Sequence, residues 1–157
     1  MSMPQSEALL AVQAICLDHT AQSKKRVLEQ AAHLLNGTDD PTQTEQIFAR
    51  LLERERLGST GLAAGVALPH ARLPGLTRSR GTFIRLRQAV DFDSQDGQPV
   101  DLVFALLVPE EATDEHLQLL AALASLFRDA ETCRTLRETQ DITHTQQILT
   151  GSIDYAA

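Results

Sequence analysis

The stretch QPVDLVFALLVPEEATDEHLQLLAALA (residues 98–124) changes periodicity halfway. Residues 100–108 (VDLVFALLV) are apolar at every position but Asp101, which is the pattern of a central strand covered on both faces. After Pro109 and two glutamates, Leu117, Leu120, Ala121, Ala124 and Phe127 recur at helical spacing. Thr113 stands where an N-cap belongs, and His116 falls in the first turn. A buried strand running straight into a helix indicates an α/β chain.

The flanking sequence extends this reading. Residues 62–68 (LAAGVAL) and 81–87 (GTFIRLR) read as further strands bounded by Gly or Pro, and Gln95-Asp96-Gly97-Gln98 is turn chemistry. Residues 9–17 (LLAVQAICL) read as an early strand. Ser23 is a predicted N-cap for a helix carrying Val27, Leu28, Ala31, Ala32, Leu34 and Leu35 and closed by Gly37. A second helix is expected over about Gln43–Arg56, with Ile47, Phe48, Leu51 and Leu52 inward and Gly58 at its end. Two short helices are expected near 130–139 and 143–150. The sum is one α/β domain over residues 1–157, core about 10–150, with helices flanking a mixed parallel and antiparallel sheet.

The bulk properties restrict the function. With 157 residues the chain suits one domain that buries roughly two thirds of its unfolded surface and needs no covalent staple. A net charge of −7 argues against nucleic acid or an anionic membrane as the main partner. Cys16 and Cys133 form no CxxC, and two free thiols in a reducing cytosol are expected. The N-terminus (MSMPQSEALLAVQ) lacks the basic n-region of a secretory signal. Apolar runs such as Leu102–Val108 fall well short of the ~20 residues of a membrane span. A cytoplasmic protein without membrane insertion is the expectation.

The chemistry is concentrated in residues 53–76, ERERLGSTGLAAGVALPHARLPGL. Gly58-Ser59-Thr60-Gly61 is a tight polar corner after a helix. Gly65 interrupts an apolar strand, where a missing Cβ signals a bulge or close backbone approach. Pro69 cannot continue a ladder and holds Leu68 extended, so His70 is delivered at the strand end on a stiff support. Taken singly, Pro-His reads as a surface histidine, GSTG as an ordinary turn, and Arg54 as a solvated helix-end cation. A metal site at His70 and His116 lacks a third ligand. A Ser59–His70 hydrolase pair lacks a GxSxG elbow. His19, His33 and His144 have no motif around them.

The block RERLGSTGLAAGVALPHARL resembles the active-site segment of the bacterial phosphotransferase-system enzyme IIA domains of the fructose–mannitol type. The resemblance rests on Arg54-Glu55, Gly58-Ser59-Thr60, Gly65 and Pro69-His70. It extends to SKKRVLEQAAHLL (23–35), to residues 98–124 and to CRTLRETQD (133–141), about residues 10–150 in all. Ala63, Ala64 and Ala71 depart from it where glycine or asparagine is frequent, and Arg72 fills a position that is commonly basic. The resemblance implies that His70 accepts a phosphoryl group from an HPr-type carrier, with His116 as a second active-site histidine. An imidazole suits such a relay because near pH 7 one ring nitrogen keeps a lone pair while an acceptor, here expected to be a backbone carbonyl, holds the other as N–H. Arg54 offers a bidentate fork to phosphoryl oxygens, His116 a donor at a helix N-terminus, and Ser59 and Thr60 further donors. Arg72 reads as a surface cation or a phosphate ligand. Leu62 and Leu117 are expected in an apolar docking rim. No metal or cofactor is called for, because the donor phosphoramidate is already activated.

GSTG, SKKR and EHLQLLAALA look most like the family's nitrogen-regulatory branch, whose phosphorylation state alters its binding to regulatory target proteins. The competing readings are a stand-alone fructose- or mannitol-type component passing phosphate to a IIB domain, and a binding module that has lost the chemistry.

Overall fold

The computed structural model describes residues 9–111 and 113–156, with backbone only for Val12, Thr113, Glu115, His116 and residues 152–156. A 3-10 turn (Val12–Ala14) leads into β1 (Ile15–His19), α1 (Lys24–Leu35) and α2 (Pro41–Leu57). Then come β2 (Val66–Ala67), β3 (His70–Leu73), β4 (Arg80–Val90) and β5 (Val100–Pro109). Three helices follow, α3 (Thr113–Arg128), α4 (Ala130–Glu138) and α5 (Ile142–Ala156).

The sheet is mixed, as expected. β1 runs parallel to β4, β4 antiparallel to β5, and β2 and β3 both lie parallel along the far side of β5. β5 is the central strand, and its alternation builds two cores. Leu102, Phe104, Leu106 and Val108 pack with Leu119, Leu123, Phe127, Leu136 and Leu149 of α3–α5. Val103, Ala105 and Leu107 pack with Val27, Leu28, Ala31, Leu35, Ile47 and Leu51 of α1 and α2. Phe83 and Phe127 stack with ring centroids 6.5 Å apart, a contact contributing about 0.5–1.5 kcal/mol beyond area burial.

Ser23 caps α1 by accepting from Arg26 N at 3.2 Å, as its sequence position implied. Both thiols are free, and burial pushes the Cys133 thiol up.

Several expectations are corrected. The early strand starts at Ile15; Leu9 and Leu10 are apolar because they are buried, not because they are paired. α1 ends at Asn36, whose N–H bonds Ala32 O, so Gly37 does not close it through a left-handed residue. Instead Gly37 makes room for the Arg80 guanidinium, which lies within 3 Å of where its Cβ would stand. In α3 the buried residues are Leu119, Leu123 and Phe127, while Leu117 is 65% exposed. This helix is apolar almost all round, so periodicity alone did not fix its phase. The N-cap reading of Thr113 lies outside the described residues.

The segment 62–68 is not one strand. Only Val66 and Ala67 pair with β5, and residues 61–65 fold back, with Leu62 N donating to Val66 O at 2.7 Å and Gly61 bridging Ala67. Ala64 (φ 62°) and Gly65 (φ 82°) turn the chain through two successive left-handed residues. Arg137 of α4 clamps this turn, donating to Ala64 O at 2.7 Å and to both oxygens of Asp101. A Cβ on Gly65 would lie 2.8 Å from Arg137 Nη2 and 3.1 Å from Asp101 Oδ1. The close approach expected at Gly65 is therefore present, together with a backbone shape that favours glycine.

Candidate functional site

The strand beside β5 breaks at Leu68-Pro69 and resumes at His70, so the histidine opens β3 rather than ending a strand. Register places His70 opposite Leu106 and Arg72 opposite Val108. Pro69 contributes its carbonyl, which accepts from Leu106 N at 2.9 Å. Because side chains alternate along a strand, His70 and Arg72 share one face while Ala71 and Leu73 are buried on the other.

His70 Nδ1 lies 2.8 Å from the Leu68 carbonyl oxygen, the type of acceptor expected from the sequence. A carbonyl only accepts, so Nδ1 carries the proton in the neutral ring and Nε2 carries the lone pair. The ring is half-buried, and this burial pushes its pKa below the ordinary value. The Leu68 carbonyl opposes that shift, Arg54 adds to it, and Glu55 opposes it. A neutral imidazole at pH 7 is the nucleophilic form.

A cleft of about 350 Å³ opens beside His70, lined by Arg50, Glu53, Arg54, Leu57, Ala71 and Arg72. The structure thus brings Arg54 and Arg72 to the histidine. Arg54 also donates to Gly58 O at 2.9 Å, and Arg72 to Glu110 O at 2.8 Å. The second contact sets the turn between β5 and α3 against the His70 strand. His116 lies in the first turn of α3; its side chain is outside the described residues.

The polar corner has a different role from the one expected. Thr60 is 6% exposed, and both its N–H and its hydroxyl bond the Glu55 carboxylate at 2.8–3.0 Å. Ser59 donates its hydroxyl to Phe92 O and accepts from Gly61 N. These side chains build the corner instead of presenting donors to the cleft. Leu62 is half-buried against the α3–α5 core and lines a separate groove with Ala124 and Phe127, so the structure does not bring it to the histidine.

The sequence reading placed Glu55 in the active-site motif without giving it a role, and it overlooked Leu57. Glu55 follows Ile47 and Leu51 at four-residue steps, which places it on the buried face of α2. Leu57 is 82% exposed at the mouth of the cleft. Among the described residues there is no group of three or more His, Cys, Asp or Glu arranged to hold a metal ion. None of the described helices is long and apolar enough to cross a membrane.

Known proteins share the sequence and the fold of this chain. Residues 8–151 match the family model described as "Phosphoenolpyruvate-dependent sugar phosphotransferase system, EIIA 2". The nitrogen regulatory protein of Bradyrhizobium diazoefficiens is 44% identical over 134 residues, covering 85% of this chain and 86% of that protein. The nitrogen regulatory protein of Pseudomonas aeruginosa is 48% identical over 115 residues, covering 73% and 75%. The crystal structure of nitrogen regulatory protein IIA-Ntr from Neisseria meningitidis superposes with a TM-score of 0.85 at 41% identity, covering 90% of this chain and 97% of that one. The chain belongs to the EIIA type-2 family of the phosphoenolpyruvate-dependent sugar phosphotransferase system.

Proposed function

We propose that this chain is a cytoplasmic phosphocarrier of the nitrogen-regulatory branch, in which His70 takes a phosphoryl group from a histidine-phosphorylated HPr-type carrier. The single observation that carries the assignment is the 2.8 Å contact of His70 Nδ1 with the Leu68 carbonyl beside an arginine-lined cleft. With Nδ1 held as N–H, the Nε2 lone pair attacks phosphorus in line. The new N–P bond forms as the donor's N–P bond breaks, and the donor imidazole recovers its electron pair. The His70 proton stays on Nδ1, so no external base is needed. Arg54, with Arg72 behind it, neutralises charge on the equatorial oxygens, and His116 supplies a further hydrogen bond. Exposed Leu57 and Leu117 serve as apolar contacts for the carrier.

The nitrogen-regulatory relatives support a signalling output over sugar transport. Transfer of a PO3⁻ unit with the Nδ1 proton retained adds one negative charge at this site, placed on three exposed acceptor oxygens. On a chain of net charge −7 this disfavours acidic targets and favours basic ones. The test is incubation with phosphoenolpyruvate, enzyme I and an HPr-type carrier, read as intact mass. One acid-labile phosphoryl group, absent from His70→Ala, is expected. An unmodified mass with the organism's own carrier would leave a binding module.

A further inference from the structure

We infer that Glu55 is a positioning residue for His70, acting through Thr60 and the Leu68 carbonyl. The inference rests on the phosphoacceptor reading of His70. Glu55 is 6% exposed, and its carboxylate receives both donors of Thr60. Behind it stands Lys24, whose Nζ is 3.4 Å from Glu55 Oε1 and 3.3 Å from both Asp93 Oδ2 and Phe92 O. The start of α1, the end of α2 and the segment after β4 thus meet at one buried carboxylate.

Thr60 passes this anchorage on. Its carbonyl accepts from Leu68 N at 3.0 Å, and the Leu68 carbonyl accepts from His70 Nδ1 at 2.8 Å. The next carbonyl, of Pro69, is held by Leu106 N at 2.9 Å. The Leu68 carbonyl is therefore fixed from both sides, by Thr60 before it and by β5 after it. Pro69 contributes a restricted φ and no N–H that could offer an alternative bond. Without an acceptor at position 55, the buried hydroxyl and amide of Thr60 lose their partners and the corner must move to satisfy them. Leu68 then loses its upstream restraint, and the acceptor that selects the His70 tautomer is no longer aimed.

A residue that only stabilised the fold would change the melting point and leave the ring alone. The discriminating readout is therefore the ¹⁵N spectrum of the His70 ring in the unphosphorylated protein at pH 7.5. It is measured in Glu55→Met, which has no acceptor for Thr60, and in Thr60→Val and Thr60→Ser, alongside kcat and KM for the phosphorylated carrier. In Glu55→Met the Nε2–H tautomer is expected to gain population. Transfer kcat should fall about 10–100-fold while KM changes by less than about twofold. Thr60→Val should shift both readouts in the same direction, and Thr60→Ser, which keeps both donors, should match wild type. Folded Glu55→Met with wild-type ring shifts and wild-type kcat would overturn the inference. If Glu55→Met does not fold, Thr60→Val decides by the same two readouts. A wild-type chain that takes no phosphoryl group would sink the phosphoacceptor reading alone, because the ring spectrum still tests the positioning.

Discussion

Replacing Gly65 by alanine tests whether the turn into β2 is built as described. The φ of +82° lies in the left-handed region, where an L-residue costs about 1–2 kcal/mol. The new Cβ would also stand 2.8 Å from Arg137 Nη2, so the guanidinium must leave Ala64 O and loosen its grip on Asp101. That ion pair is about one third exposed, so its loss adds only about 0.5–1 kcal/mol. The sum is about 1.5–3 kcal/mol, a fall in Tm of about 3–12 °C for a chain of this size. Gly75→Ala is the matched control. It has the same φ of +82° but nothing within 4 Å of its Cβ, so it should lose only the backbone share. Urea denaturation of both variants isolates the clamp. Equal losses at the two positions would refute the Arg137 contribution, and a loss below about 0.5 kcal/mol at Gly65 would refute the backbone assignment as well.

Three further outcomes are expected. Burial holds the His70 pKa below 6.5 in the folded protein, so between the two values the unfolded chain binds a proton that the folded chain does not. Stability should be whole above pH 6.5 and decline as the pH falls toward the folded-state value; an NMR titration midpoint at or above 6.5 would contradict this. Arg85 is 3% exposed and donates to the Leu136 and Thr139 carbonyls and to Asp18, tying the end of α4 to β4. Arg85→Met should therefore cost about 3 kcal/mol in urea unfolding, and a neutral result would show the carbonyls finding other donors. Leu57→Asp and Leu117→Asp should each raise KM for the phosphorylated carrier about tenfold with stability changed by less than about 0.5 kcal/mol. An unchanged KM in both would move the docking surface elsewhere.

Much of the fold was legible because β5 is apolar at every position but Asp101 and has a turn on either side, the pattern of a strand covered on both faces. The helix α3 was found but its phase was not, since LQLLAALASLF offers apolar residues to every direction. The candidate site was legible only through the resemblance that Arg54-Glu55, Gly58-Ser59-Thr60 and Pro69-His70 carry together, since Pro-His and a helix-end arginine taken singly read as ordinary surface groups. Thr60 was expected to face the cleft because a polar side chain beside a site reads as a ligand until its bonding partner is known, and that partner, Glu55, lies five residues away across a helix end. Leu57 was missed because an apolar residue off the buried face has no sequence signature separating a docking contact from an ordinary exposed leucine.

The most direct test of the central claim is a long-range ¹H–¹⁵N correlation spectrum of the protein after exposure to the phosphoenolpyruvate-charged carrier. One phosphoryl group on His70 Nε2, with Nδ1 still protonated, is the expected result. A phosphoryl group on Nδ1 or on another residue, or none with the cognate carrier, would contradict the account.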